Sequence, residues 1–260
     1  MDNRRPDIEK LVDLMARLRS PNGCPWDREQ TLETLVPFII EEAYEVVAAI
    51  DERSDNALKD ELGDLLFQII FITQISSEAG KFNLADVIDH SVEKMVRRHP
   101  HVFGEAKADT PEEVLRHWAD IKKAEKKGHK DSGTLAGVPE VLPALLRAHK
   151  ISQKAAKAGF DWKETSQVLE KLDEEVAEFH AAVKAKDAAN IEEELGDILF
   201  TLVNVSRFMQ VNPEDALRKT IGKFITRFHH VEAAVIATGK DVAEASMDEM
   251  ERLWQEAKKG

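Results

Sequence analysis

Glu61-Leu-Gly-Asp-Leu-Leu-Phe67 returns 133 residues later as Glu194-Leu-Gly-Asp-Ile-Leu-Phe200, with six identities in seven positions. Upstream, Glu41-Glu42-Ala-Tyr-Glu45 returns as Glu174-Glu175-Val-Ala-Glu178 at the same spacing. Two in-register matches at one spacing are not expected by chance when each residue type occurs at about 5–8 %. The repeat therefore predicts that the chain arose by internal duplication.

The similarity between the two copies continues beyond these motifs. A Gly, Lys and Pro-rich stretch without apolar periodicity separates the copies and is typical of a linker. We therefore predict a first module over 1–130, a linker over 131–139 and a second module over 140–260. The further matched pairs are Asn83 with Asn212, Asp86 with Asp215, Lys94 with Lys223, Arg98 with Arg227, and Trp118 with Trp254.

Composition and periodicity both favour helices. Of the 260 residues 33 % are charged and only 6 % aromatic, and such sequences favour helices over sheets. Apolar residues recur at helical spacing, and no segment alternates with the period of two that is typical of a strand. We predict an all-α fold of two tandem helical-bundle modules. Its helices are expected at about 6–19, 29–52, 55–79, 84–98, 111–127, 143–157, 165–186, 188–210, 213–238 and 247–258.

Net charge excludes some partners. At a formal charge of −13, the chain is expected to be repelled by nucleic acid and by anionic membranes. No apolar run approaches the ~20 residues of a membrane span, and the charged amino terminus does not resemble a signal peptide. We therefore expect a cytoplasmic protein without nucleic-acid or membrane partners. The single Cys24 excludes an intrachain disulfide.

Acidic residues recur three or four positions apart, which places them on one face of a helix. They lie within apolar stretches, so some must point toward the seam between two long helices. Two carboxylates about 5–6 Å apart repel by roughly 3 kcal/mol at an effective dielectric near 20, and neither 61–67 nor 194–200 contains a Lys or Arg to offset this. We name the two sets the first acid cluster (Glu42, Glu45, Glu61, Asp64) and the second acid cluster (Glu175, Glu178, Glu194, Asp197).

Oxygen ligands of this kind select hard divalent cations, so each acid cluster is predicted to bind Mg²⁺, with Mn²⁺ as a substitute. A ferritin-like di-iron site needs a Glu-x-x-His pair on its helices. Neither copy has such a pair at these motifs, which argues against that class of site.

The motif Glu-Glu-x-x-Glu followed by Glu-x-x-Asp, present in both copies, resembles the signature of the MazG nucleotide pyrophosphohydrolases. The superfamily of these enzymes also includes dimeric dUTPases and phosphoribosyl-ATP pyrophosphohydrolases. The stretches Asn22-Gly-Cys-Pro-Trp-Asp27, Arg98-His-Pro-His-Val-Phe103 and Gly159-Phe-Asp-Trp162 are similar to the long, tandem MazG form over essentially the whole chain. The resemblance implies Mg²⁺-dependent hydrolysis of nucleoside triphosphates between the α and β phosphates, which gives monophosphate and pyrophosphate.

The resemblance also implies roles for individual residues. In the second module, the second acid cluster would hold the metal, and Glu174 would orient or deprotonate the attacking water. Lys223 and Arg227 would contact the phosphates, Glu175 would act in catalysis and binding, and Trp254 would pack against the nucleotide. The equivalents in the first module are the first acid cluster together with Lys94, Arg98 and Trp118.

The modules are expected to be unequal, with the second carrying most or all of the activity. Lys171 lies one turn before Glu175 and is expected to meet a substrate phosphate, whereas its counterpart Phe38 carries no charge. Pro37 is expected to disrupt the turn before Glu41 unless the helix begins there.

Alternatives remain at this point. The substrate is expected to be a nucleoside triphosphate, with dUTP or phosphoribosyl-ATP as alternatives. An interpretation of another class is a non-enzymatic, metal-binding regulatory module. The cellular role is expected to be nucleotide pool sanitation or stress regulation. A homodimer is expected because small helical modules often complete their core with a partner.

Overall fold

The computed structural model describes residues 7–125 and 133–258. These residues contain twelve α-helices, one short 3-10 helix and no strand. The predicted all-α fold is therefore confirmed. In the same described residues, no helix has the length and apolar character needed to cross a membrane.

The first unit is centred on two long helices, α3 and α4, which pack along each other. Helix α1 lies against α4, and α5 also contacts α4 and α7. The first-unit helices are α1 (Glu9–Leu18), α2 (Pro25–Glu29), α3 (Leu32–Glu52), α4 (Asp55–Glu78), α5 (Leu84–Arg98), α6 (Pro100–Phe103) and α7 (Pro111–Glu125).

The second unit repeats this arrangement around α9 and α10, with α8 packed against α10. Helix α11 contacts α8, α10 and α12. The second-unit helices are α8 (Ala144–Lys157), α9 (Thr165–Ala185), α10 (Ala188–Phe208), α11 (Pro213–Ala237), the 3-10 helix η1 (Val242–Glu244) and α12 (Met247–Ala257).

The same two-residue turn joins the long helices in both units. Arg53 ends α3 with φ 55°, and Lys186 ends α9 with φ 59°, so both occupy the left-handed conformation that terminates a helix. The next residue caps the following helix, since Ser54 accepts a hydrogen bond from the Ala57 amide and Asp187 accepts one from the Asn190 amide. A turn this short makes the two helices antiparallel, and their acidic motifs therefore face each other.

Each unit has a small buried core. In the first unit, Met15 of α1, Leu35 of α3 and Ile70 and Phe71 of α4 are almost completely buried together. In the second unit, Val231 and Val235 of α11 pack with Leu253 of α12, while Val168 and Val203 are buried at 0 % and 1 % exposure.

The expected effect of Pro37 is wrong, because α3 runs through it without a break. Helix α3 begins at Leu32, and Thr31 caps it by accepting a hydrogen bond from the Thr34 amide. Pro37 therefore removes one backbone hydrogen bond in the second turn, and the helix continues through it while Leu35 of the preceding turn is buried in the core. The predicted helix over 29–52 is shorter at its start, since 25–29 forms the separate helix α2.

The chain divides into two compact units, Met1–Glu125 and Lys126–Gly260. The predicted module boundary at 130 and the first two residues of the predicted linker 131–139 lie outside the described residues. The exact bounds of modules and linker therefore stay predictions. The end of the predicted helix 111–127 lies in the same undescribed segment.

Candidate active site

The second acid cluster is assembled across the α9–α10 hairpin. Glu175, Glu194 and Asp197 each place a carboxylate oxygen within 4.8 Å of the others. Glu178, one turn after Glu175, is close enough to raise the pKa of Glu194, after the larger effect of desolvation. Three of the four predicted acids therefore lie together, with the fourth near Glu194, and Glu175 is only 5 % exposed.

Lys171 is a cation that offsets this charge. Its ammonium lies 2.8 Å from an oxygen of Glu174 and 2.9 Å from an oxygen of Glu175. These two hydrogen bonds raise the pKa of Lys171 well above its usual value. Lys171, which was predicted to contact a substrate phosphate, is therefore paired with the acids in this structure. The cation that offsets the acids lies one turn before Glu175 on α9, and the stretch 194–200 contains no Lys or Arg.

The first acid cluster has the same carboxylates across the α3–α4 hairpin. Glu42, Glu45 and Glu61 have oxygens within 4.8 Å of one another. Desolvation and the charge of Asp64 raise the pKa of Glu42, while desolvation and Glu45 raise that of Glu61. The closely spaced acids differ between the two clusters, since the first group includes Glu45 whereas the second includes Asp197, the counterpart of Asp64.

At the position of Lys171 the first unit has Phe38, which packs rather than pairs. The Phe38 ring lies edge to face with the Trp26 ring at 5.8 Å and 82°, and it contacts the buried core of that unit. The two units therefore differ beside their acids: the second has a lysine paired with carboxylates, and the first has a phenylalanine packed against a tryptophan and the core.

The predicted phosphate and base residues of the second unit lie on α11 and α12. Arg227 stands 5.9 Å above the Trp254 ring, and Phe224 is 5.1 Å from the same ring. Lys223 is exposed on the preceding turn of α11. The structure thus brings Arg227 and Trp254 together, on helices other than the two that carry the acids.

The corresponding residues of the first unit have different contacts. Glu125 of α7 accepts hydrogen bonds from Arg98 at 2.6 Å and pairs with Arg97 at 2.8 Å, and these bonds lower its pKa to about 2. Lys94 borders a cavity of about 410 Å³ on α5. Trp118 lies under the Lys122 ammonium at 4.8 Å. Arg98 is therefore held by a carboxylate in this unit.

Comparison with known proteins identifies the family. A family model described as "MazG nucleotide pyrophosphohydrolase domain" matches residues 30–103 and 163–232. The Thermotoga maritima "Nucleoside triphosphate pyrophosphohydrolase/pyrophosphatase MazG" is 46 % identical over 253 residues, 97 % of this chain and 96 % of that protein. The chain belongs to the MazG nucleotide pyrophosphohydrolase family. The predicted resemblance is confirmed.

Other proteins similar to this chain match it over different lengths. The "Nucleoside triphosphate pyrophosphohydrolase" of Escherichia coli K12 is 42 % identical over 255 residues, 97 % of each chain. "Uncharacterized protein YabN" of Bacillus subtilis is 47 % identical, covering 97 % of this chain but 52 % of that protein. A solved "mazG-related protein from Thermotoga maritima" is 30 % identical over 44 % of this chain and 98 % of its own, with a TM-score of 0.39.

The two MazG matches cover the two hairpins, so the predicted duplication is confirmed. Full-length relatives named as nucleoside triphosphate pyrophosphohydrolases confirm the predicted enzyme class. Each match spans both acidic motifs of its unit. The Trp26 loop and Trp254 lie outside the matched ranges.

The donor sets of both acid clusters fit a hard divalent cation. They offer only carboxylate oxygens at short mutual distances, which is the chemistry that Mg²⁺ and Mn²⁺ select. A further polar group missed by the sequence reasoning is Gln68, whose amide hydrogen-bonds Glu42 while its Oε1 is buried without a partner. Its signal was its position four residues after Asp64, on the same face of α4.

Proposed function

We propose that the second unit hydrolyses nucleoside triphosphates between the α and β phosphates, giving a nucleoside monophosphate and pyrophosphate. The observation that carries this proposal is the second acid cluster, in which Glu175, Glu194 and Asp197 lie together across one hairpin with Lys171 bonded to the buried Glu175. The family and the printed names of full-length relatives support the same reaction.

The acids are proposed to hold Mg²⁺, for which Mn²⁺ would substitute. Glu175, Glu178, Glu194 and Asp197 provide the ligand oxygens. When bound, the ion would neutralise charge on the phosphates and on the leaving pyrophosphate. Four carboxylates alone would repel a triphosphate, so a cation is required for the substrate to approach.

The chain's own residues supply the remaining parts of the reaction. Glu174 is more exposed than Glu175, with 57 % of its side chain accessible, so a water can reach it, be oriented and lose its proton there. Lys171 would exchange its carboxylate partners for a phosphate, and Lys223 and Arg227 would bind the other phosphate oxygens. Trp254, with Arg227 above it, would support the base. The water oxygen, having given a proton to Glu174, would form a bond to one of the two phosphorus atoms. The bond between that phosphorus and the bridging oxygen would break, and the bridging oxygen would leave with the other phosphorus.

The test is a pyrophosphate-release assay with Mg²⁺ and a panel of canonical, deoxy and oxidised triphosphates, including dUTP. Glu175→Gln should abolish release, whereas the matched control Asp173→Asn should not. Asp173 is exposed on the same helix, two residues away and so about 200° around it. Equal activity of Glu175→Gln and the control would refute the proposal. The panel also tests the dUTP alternative, and a preference for the oxidised triphosphates would support a role in nucleotide pool sanitation.

We also propose that the protein is a homodimer located in the cytoplasm, where nucleotide pools lie. Helix α9 exposes Leu169, Val176 and Val183 at 45 %, 36 % and 47 %, each seven residues after the last, as in a helix that packs along another helix. Helix α11 adds Leu217 and Ile221 at 48 % and 50 %. Exposed apolar stripes of this length mark protein interfaces.

A further inference from the structure

In the first unit, a buried arginine ties the loop before the hairpin to the far end of that hairpin. Arg19 follows α1, and its side chain is only 9 % exposed. It pairs with Glu78, the last residue of α4, at 2.8 Å. It also donates to the Asp27 and Gln30 carbonyls of the loop that leads into α3, and its guanidinium lies 5.5 Å over the Phe71 ring. We name Arg19 and Glu78 the first clasp.

The second unit has an ion pair between the same two elements. Arg207 lies in the last turn of α10, and its side chain is 13 % exposed. Its two terminal nitrogens donate to the carboxylate of Asp161, in the loop that leads into α9, at 2.8 and 2.5 Å. The guanidinium lies 4.7 Å over the Phe208 ring. We name Asp161 and Arg207 the second clasp.

The two clasps have opposite polarity. In the first clasp the arginine precedes the hairpin and the carboxylate ends it, whereas in the second clasp the carboxylate precedes the hairpin and the arginine ends it. Glu78 and Arg207 occupy matching places, because each lies within two residues of the C-cap of the second hairpin helix. Those C-caps, Ala79 and Met209, have φ −82° and −83°, with ψ 2° in both. The two units thus share the clasp but not the direction of its charges.

Both clasps hold their carboxylates in the charged form. Hydrogen bonds from Arg207 are the main cause that lowers the pKa of Asp161, and hydrogen bonds from Arg19 are the main cause that lowers the pKa of Glu78. The arginines stay charged throughout the physiological pH range. A buried charge that loses its partner is strongly destabilising, so each clasp favours one arrangement of loop and hairpin.

A duplicated chain offers each hairpin two similar partners. Helix α1 packs against α4, and α8 packs against α10, so in both units the helix before the hairpin lies on the second hairpin helix. The hairpins themselves agree in six of seven positions over 61–67 and 194–200. Exchange of equivalent elements is a characteristic way in which such repeats misfold, and specificity against a wrong partner can come from repulsion in the wrong complex.

We propose that the opposite polarity of the two clasps directs the segment before each hairpin to its own hairpin during folding. If the first loop docked on α10, Arg19 would meet Arg207. If the second loop docked on α4, Asp161 would meet Glu78. Both wrong arrangements bury like charges, within one chain or between two chains. The proposal concerns folding, so it depends neither on the proposed hydrolysis nor on the proposed homodimer.

The experiment refolds the full chain from guanidinium chloride and measures which hairpin the first loop contacts. Cys24 lies in that loop and is the single cysteine of the chain. Met209→Cys adds a thiol at the exposed C-cap of α10, and Ala79→Cys adds one at the exposed C-cap of α4. The reagent is the shortest bismaleimide that links Cys24 to the Ala79→Cys thiol when both clasps are unaltered. The same reagent then measures linkage of Cys24 to the Met209→Cys thiol.

Three changes to the second clasp are compared in the chain that carries the α10 thiol. Asp161→Arg combined with Arg207→Glu gives the second clasp the polarity of the first. Arg207→Met breaks the second clasp and removes the charge that would repel Arg19. Asp161→Asn is the matched control, because it breaks the same ion pair and leaves the repelling arginine in place. Helical circular dichroism is measured for each refolded variant.

Linkage of Cys24 to α10 is counted in excess of that in the never-unfolded chain with unaltered clasps. This excess should be small when the clasps are unaltered and in Asp161→Asn. It should rise at least about tenfold in the reversed clasp and about threefold in Arg207→Met, because the wrong docking no longer buries two like charges. Linked products of one-chain and two-chain mass both count, since either reports exchange.

An unchanged excess in both the reversed clasp and Arg207→Met would overturn the proposal. An equal rise in Asp161→Asn and Arg207→Met would also overturn it, because the clasp would then act only through the stability of its own unit. If the reversed clasp does not regain helical circular dichroism, the comparison of Arg207→Met with Asp161→Asn decides alone. A large excess in the chain with unaltered clasps would show that polarity does not prevent the exchange.

Discussion

Replacement of Lys171 by methionine should tighten metal binding at the second acid cluster. The Lys171 ammonium offsets part of the charge of Glu174 and Glu175 at 2.8 and 2.9 Å. A divalent cation that enters the cluster must share those oxygens with the ammonium or displace it. Methionine keeps an unbranched side chain of similar length and removes only the competing charge.

The size of the effect follows from the distances. With a carboxylate–Mg²⁺ distance of about 2.1 Å and an ammonium 2.9 Å from the Glu175 oxygen, the two cations would be within about 5 Å. At the dielectric of bulk water their repulsion is about 1.7 kcal/mol, which is about 15-fold in Kd. If the ammonium instead swings into solvent, its two charge-assisted hydrogen bonds are lost, which also opposes metal binding.

The assay is a titration of Mn²⁺ followed by electron paramagnetic resonance at low ionic strength, where screening is weak. A Glu42→Gln background weakens the first acid cluster, so that the second is observed alone. Lys171→Met should lower Kd at least tenfold in the absence of nucleotide while slowing turnover. Lys184→Met is the matched control, because it removes the same charge from the last turn of α9, about 14 Å along the helix from Glu175. An unchanged Kd in Lys171→Met, or an equal gain in the control, would refute the reasoning.

Three further outcomes are expected. Full-length Glu42→Gln should retain more than half of the wild-type pyrophosphate release, whereas Glu175→Gln should lose nearly all of it with unchanged helical circular dichroism. A Glu175→Gln enzyme with half the rate would contradict the unequal units. Light scattering at micromolar concentration should give twice the mass of one chain, and a monomeric mass would count against the dimer. Hydrogen bonds from Arg98 and Arg97 lower the pKa of Glu125 from 4.5 to about 2, so its contribution to the α5–α7 contact is complete above pH 4.5 and lost as the pH falls toward 2. Trp118 fluorescence should report that loss in the wild type and not in Glu125→Gln.

The fold and the acid clusters were predictable because both depend on local spacing. Residues three or four apart share a helix face whatever surrounds them, and a repeat at one offset transfers that geometry from one copy to the other. The hairpin turn was also encoded locally, by Ser54 and Asp187 as caps. Predicted helix ends therefore lie close to the observed ones.

What the sequence did not predict depends on contacts between distant residues. Arg98 pairs with Glu125, 27 positions away, and no local pattern announces that pair. Trp26 belongs to a loop whose position is fixed by Arg19 and Glu78, and the resemblance assigned that loop no role. Pro37 was expected to disrupt the helix because proline disfavours helix interiors, but α3 continues through it.

The duplication explains why one exchange between the units has large consequences. Both hairpins bring like charges together, and the pKa of Glu42, Glu61 and Glu194 is raised in each case, first by desolvation and then by neighbouring acids. A cluster in that state needs a positive charge, and in the second unit Lys171 supplies one at 2.9 Å from Glu175. If the Lys171 ammonium exchanges its carboxylate partners for a phosphate, as we propose, metal entry and substrate binding would be coupled in the second unit. In the first unit the corresponding position is Phe38, which carries no charge and cannot make such an exchange.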